Sequence, residues 1–101
     1  MKQRYIYFMA NKNNTVIYIG VTSNLLERVH QHKIKFHKGF TASYNCDKLV
    51  YFEQFENMNQ AIAREKQLKA GNRKRKEELI HRENPTWNDL SEGWISNHCD
   101  I

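Results

Sequence analysis

Arg4-Tyr5-Ile6-Tyr7-Phe8-Met9 and Thr15-Val16-Ile17-Tyr18-Ile19-Gly20-Val21, joined across Asn11-Lys12-Asn13-Asn14, are the stretches on which the fold turns. Both runs are dense in aromatic and β-branched residues, whose side chains suit a pleated surface and read as strands. The asparagine-rich linker is turn chemistry, so the pair predicts a β-hairpin. Neither run alternates clearly between apolar and polar residues. That pattern predicts a sheet covered on both faces.

Working outward, Thr22, Ser23 or Asn24 can cap a helix over about residues 24–34, with Leu25, Leu26 and Val29 as its apolar stripe. At 100° per residue, Arg28 and His32 fall side by side at one edge of that stripe. Residues 35–47 are polar, contain Gly39 and read as a loop. Leu49-Val50-Tyr51-Phe52, continued by Phe55, predicts a third strand. Asn57 or Asn59 can open a second helix reaching Ala70, with Gly71 at its C-terminal end and Met58, Ala61, Ile62 and Leu68 facing the core. A third helix over residues 73–81 would bury Leu79 and Ile80. Asn84-Pro85 then opens a final turn with Asn84 as its cap, and Trp87, Leu90 and Trp94 dock that segment. The expected class is α+β, a three-stranded antiparallel sheet flanked by about three helices in the order β-β-α-β-α-α. One domain is expected over residues 1–94, with 95–101 a flexible tail.

The chain has 101 residues and a net charge of +5, with 40% hydrophobic and 12% aromatic residues. This composition is that of a folded chain rather than a disordered one. The charge is concentrated. Between Arg64 and Arg82 stand eight basic residues (Arg64, Lys66, Lys69, Arg73, Lys74, Arg75, Lys76 and Arg82) against three acids, a surplus equal to that of the whole chain. Clustered cations favour polyanions by releasing condensed counterions, although a solvated helical face would look the same. Lys66, Lys69, Arg73, Lys74, Arg75 and Lys76 are the candidate nucleic-acid contacts. Cys46 and Cys99 are far apart and form no Cys-x-x-Cys pair, which excludes a multi-cysteine zinc site and a disulfide framework. No apolar run approaches the roughly 20 residues of a membrane span, and no signal peptide opens the chain. The expected compartment is the cytoplasm.

Four side chains carry chemistry if they converge. Tyr18 is an ordinary core aromatic in most strands, but Gly20 follows two residues later, where glycine permits close approach of a backbone or ligand. Tyr5 and Tyr7 share that ambiguity. Arg28 could cover the apolar edge with its stem or hold a phosphate, and His32 could pack or carry a proton. Glu65 falls within an apolar stripe, which is costly for a carboxylate unless it is paired or metal-bound. A salt bridge to Arg28, or a head reaching water, satisfies that demand as well as a metal does. A single carboxylate makes a hard-cation site of the kind Mg²⁺ completes with water and substrate phosphate. Together the four offer a base, a charge stabiliser, a proton carrier and a metal ligand.

This combination resembles the GIY-YIG nuclease superfamily. Tyr5-Ile6-Tyr7 stands at the first motif and Tyr18-Ile19-Gly20 matches the second. Arg28 and His32 follow Tyr18 by ten and fourteen residues, spacings similar to those of intron-encoded members, and Glu65 matches the metal-binding glutamate. Arg64-Glu65-Lys66-Gln67-Leu68-Lys69 and the segment Asn84-Pro85-Thr86-Trp87-Asn88-Asp89-Leu90 are similar to the small stand-alone bacterial group related to the nuclease domain of the excision-repair endonuclease. The resemblance implies hydrolysis of a DNA phosphodiester with one Mg²⁺ or Mn²⁺ ion, in repair or recombination, on substrates such as branched or damaged DNA. In that scheme Tyr18 is the general base, Arg28 stabilises charge, Glu65 holds the metal, Tyr7 orients Tyr18 or the water, and His32 assists proton transfer. Three departures stand out. Tyr5 replaces the first glycine, Val21 replaces a lysine carried by repair-type members, and the late asparagine is Asn84 or Asn72. The alternative is a non-catalytic nucleic-acid-binding or repair-complex module on the same scaffold. A minimal nuclease without its own targeting domain points to a homodimer or a repair partner.

Overall fold

Residues 3–35 and 38–94 are described by the computed structural model. The hairpin forms as its sequence requires. Strand β1 (Arg4–Ala10) pairs antiparallel with β2 (Ile17–Thr22), setting Tyr7 opposite Gly20 and Met9 opposite Tyr18. Its turn is closed by the Asn11 side chain, whose oxygen accepts from the backbone N–H groups of Thr15 (2.8 Å) and Val16 (3.0 Å). Asn14 takes a left-handed conformation at φ 59°, which asparagine tolerates better than most residues.

Helix α1 (Leu25–Lys33) starts at Asn24, whose side chain accepts from the Glu27 N–H. A four-residue helix α2 (Phe40–Ser43) precedes β3 (Lys48–Phe55), which pairs with the other edge of β1. The strand order is therefore β2-β1-β3, all antiparallel. Helices α3 (Met58–Ala70) and α4 (Arg73–Glu83) follow, capped by Asn57 and Asn72. The expected α+β order is the observed one, with α2 added inside the 35–47 stretch that its polar residues had marked as loop.

Both faces of the sheet are covered, as the unbroken apolar runs require. Ile6, Phe8 and Ala10 of β1 join Ile19, Val50, Ala61, Leu68, Ile80 and Trp87 in a core beneath α3 and α4. On the other face Tyr7 and Met9 pack with Leu25 and Val29 of α1, together with Cys46 and Leu49. Five consecutive residues of β1, Ile6 to Ala10, are fully buried. Each large apolar side chain so placed contributes about 1.5–3 kcal/mol relative to exposure. Trp87 docks as expected, whereas Leu90 stays exposed. Asn84 is the C-cap of α4 and also closes the turn that follows, its side-chain oxygen accepting from the Asn88 N–H. Residues 95–101, expected as a tail, lie outside the described residues. Among the described residues no helix is long and apolar enough to cross a membrane.

Candidate active site

Strand parity and helix periodicity bring four of the predicted residues together. Tyr7 and Tyr18 project from neighbouring strands onto the α1 face of the sheet, with ring centroids 6.2 Å apart. From α1, His32 lies 5.5 Å from each of these rings, centroid to centroid. Its Nε2 is 2.9 Å from the Tyr7 hydroxyl and its Nδ1 is 3.1 Å from the Thr41 hydroxyl of α2. A hydroxyl can donate or accept, so either neutral tautomer of His32 is held at both ring nitrogens. Arg28, one turn earlier, lines the same cleft as Tyr18 and His32.

Tyr7 is fully buried, so it works from beneath the cleft rather than in it. Burial pushes its phenol well above the ordinary tyrosine value, and the neighbouring Tyr18 adds to the rise while Arg28 opposes it. Tyr7 is therefore a neutral hydroxyl at physiological pH. Its partner across the hairpin is Gly20, and a Cβ there would stand 2.5 Å from the Tyr7 hydroxyl oxygen. The close approach that Gly20 allows is thus by the tyrosine of the adjacent strand, neither a backbone nor a ligand. Tyr5 lies two residues before Tyr7 and meets Phe52 edge to face at 6.3 Å, away from the cleft lining.

The cleft has a volume of about 360 Å³ and is open to solvent, walled by Tyr18, Arg28, His32, Lys38, Phe40 and Thr41. Lys38, Phe40 and Thr41 come from the stretch read as loop, where no periodicity marked them. Glu65 does not line this cleft. It stands on the sheet-facing side of α3 with Ala61 and Leu68, its side chain 16% exposed, and it pairs with Lys69 at 3.2 Å rather than with Arg28. Helix α3 covers the opposite face of the sheet from α1, and β2 is the edge strand between the two.

Among the described residues no three His, Cys, Asp or Glu side chains cluster to cage a metal. A one-carboxylate donor such as Glu65 still fits an ion that keeps most of its ligands as water and phosphate oxygens. Its present partner Lys69 is half-exposed and one helical turn away, an i,i+4 pair of the weak kind.

The two asparagines have local tasks. Asn84 is buried; its amide donates to the carbonyls of Val50 (3.1 Å) and Asn88 (2.9 Å) and accepts from the Asn88 N–H (3.0 Å). Asn72 caps α4 by accepting from Arg75 N–H at 2.9 Å. Among the basic candidates, Lys66, Lys74 and Arg75 are exposed and Lys76 is half-buried. Arg73 instead donates to the Thr15 and Asn14 carbonyls and to Glu77, tying α4 to the hairpin turn.

Comparison with known proteins agrees with this fold. A UPF0213 protein of Clostridium perfringens is 37% identical over 76 residues, covering 75% of this chain and 81% of its own length. A UPF0213 protein of Syntrophus aciditrophicus is 31% identical over 86 residues, covering 84% and 97%. The solution NMR structure of the UPF0213 protein of Bacillus halodurans shares the fold, with a TM-score of 0.56 at 21% identity over 90% of this chain and 96% of that one. Residues 3–78 match the GIY-YIG catalytic domain. The chain belongs to the GIY-YIG family, alongside the UPF0213 proteins it resembles.

Proposed function

We propose that this protein is a divalent-metal-dependent DNA endonuclease of the cytoplasm that hydrolyses a phosphodiester in the Tyr18–Arg28–His32 cleft. One observation carries the reading: a phenol from β2 and a guanidinium and an imidazole from α1 wall a single solvent-open cleft. Arg28 receives the phosphate and offsets the charge that grows on its oxygens as water attacks. Tyr18, in the cleft wall beside the His32 ring, acts as the base: its phenol gives its own proton to bulk water, and the phenolate so formed takes the proton of the attacking water. Tyr7 and Thr41 are positioning residues, because they hold the two nitrogens of His32. Glu65 would hold Mg²⁺ or Mn²⁺, which when bound supplies positive charge at the phosphate. Lys66, Lys74, Arg75 and Lys76 add backbone contacts, and a second copy or a repair partner directs the domain to branched or damaged DNA.

The test is nicking of a supercoiled plasmid by purified protein with Mg²⁺ or Mn²⁺. Glu65→Ala and Arg28→Ala should each lower the rate by about 100-fold or more. Wild-type activity in Glu65→Ala would remove the metal role. The position of Glu65 outside the cleft lining favours a second reading, a nucleic-acid-binding module without catalysis. That module would bind DNA yet leave the plasmid intact with either metal.

A further inference from the structure

Helix α2 carries two aromatic rings that the core does not use. It buries none of its residues, and Phe40 and Tyr44, at its start and C-cap, are 50% and 52% exposed. Their ring centroids are 4.7 Å apart, and Phe40 lies 6.2 Å from Tyr18 at an interplanar angle of 32°. Tyr18, Phe40 and Tyr44 thus form a row of rings leading out of the candidate active site. The row is held in place. Backbone bonds run from Ser43 to Gly39, from Tyr44 to Phe40 and from Cys46 to Thr41, and the Thr41 hydroxyl meets His32. Arg28 and Lys38 line the cleft at the inner end of the row, so two exposed rings, tilted 43° to each other, adjoin two cations.

A ligand that matches both features has a planar, stackable group joined to an anion, and a nucleotide does. In duplex DNA the bases already stack on one another, and reaching a surface ring requires extruding one of them. An unpaired base has its face available, and stacking on protein aromatics tolerates any sequence. We propose that Phe40 and Tyr44 are a stacking platform for an unpaired nucleobase, and that the substrate class is DNA with unpaired nucleotides beside the bond in the cleft. The inference rests on the endonuclease reading for the cleavage, but not for the binding.

Binding is therefore measured without metal, in EDTA at fixed salt, by fluorescence anisotropy. The probes are a labelled oligothymidylate and a labelled blunt duplex of equal length. Phe40→Leu and Tyr44→Leu should each weaken oligothymidylate binding by about 5- to 150-fold while duplex binding changes by less than about twofold. Phe40→Trp should bind oligothymidylate at least as well as wild type, which a merely apolar role at this position would not require. Unchanged single-strand affinity in both leucine variants, or an equal loss on both probes, would overturn the platform. A parallel plasmid assay separates the two proposals. Platform-dependent binding by a protein that cleaves nothing leaves the inference standing without the nuclease. Nicking by a protein whose leucine variants bind like wild type does the reverse.

Discussion

Gly20 and Tyr7 show how one residue sets the floor of the site. The hydrogen atom of Gly20 leaves room for the Tyr7 ring, whose hydroxyl-bearing carbon would lie 2.6 Å from any Cβ placed there. Tyr7 is buried on all sides and cannot swing away, so Gly20→Ala should cost about 1–3 kcal/mol by overpacking. A urea midpoint shifted downward at unchanged slope would show this, and an unmoved midpoint would mean that the hairpin absorbs the methyl. The pairing partner of Gly20 could not be read from the chain, because register across a hairpin depends on the turn's closure. The motif marked the position, and only the register named Tyr7 as the group being accommodated.

At the scale of elements, two acidic anchors hold the helices to the sheet. Glu53 of β3 receives a bidentate contact from Arg64 of α3 (2.8 and 2.9 Å) and the hydroxyl of Tyr51. Asp89 receives Lys33 of α1, the Leu49 N–H (3.2 Å), and the N–H and hydroxyl of Ser91 (3.0 and 2.6 Å). Burial alone would raise both carboxyls, but the hydrogen bonds from Arg64 and Tyr51, and from Lys33 and Ser91, hold them below their usual range. A depressed value in the fold means stability that is present above the unfolded value near 4 and lost as pH falls through the folded one. Thermal stability should therefore fall below about pH 4, where these two carboxylates lose their charge. Asp89→Asn should cost about 2 kcal/mol at neutral pH and flatten part of that acid limb. A variant with the wild-type acid profile would show that Asp89 is not an anchor. Helices α1 and α3 were legible because Asn24 and Asn57 cap apolar stripes, whereas α2 has four residues, no stripe and nothing buried.

For the whole molecule, charge and fold separate cleanly. The sheet, its order and its two covered faces follow from unbroken apolar strands, and they were readable from the chain. The charge surplus of residues 64–82 was readable as a count but not as a surface. Arg73 is spent on the hairpin turn and Lys69 faces Glu65, leaving Lys66, Lys74 and Arg75 among the exposed cations. If these meet DNA, Lys74→Ala with Arg75→Ala should reduce the slope of log K against log salt by about 1.8 on duplex DNA, about 0.9 per lost phosphate contact. An unchanged slope would move the DNA to another face. Tyr18, Arg28 and His32 were readable as a constellation because helical spacing and a strand end suffice to place them. The α2 wall of the cleft was not readable, and the motif gave no sign that Glu65 stands outside the cleft lining. The most direct test of the cleft as a hydrolytic site is single-turnover cleavage of DNA by Tyr18→Phe, which keeps the ring and removes the hydroxyl. The expected result is a rate at least about 100-fold below wild type with DNA affinity unchanged. Cleavage by Tyr18→Phe at the wild-type rate would contradict it.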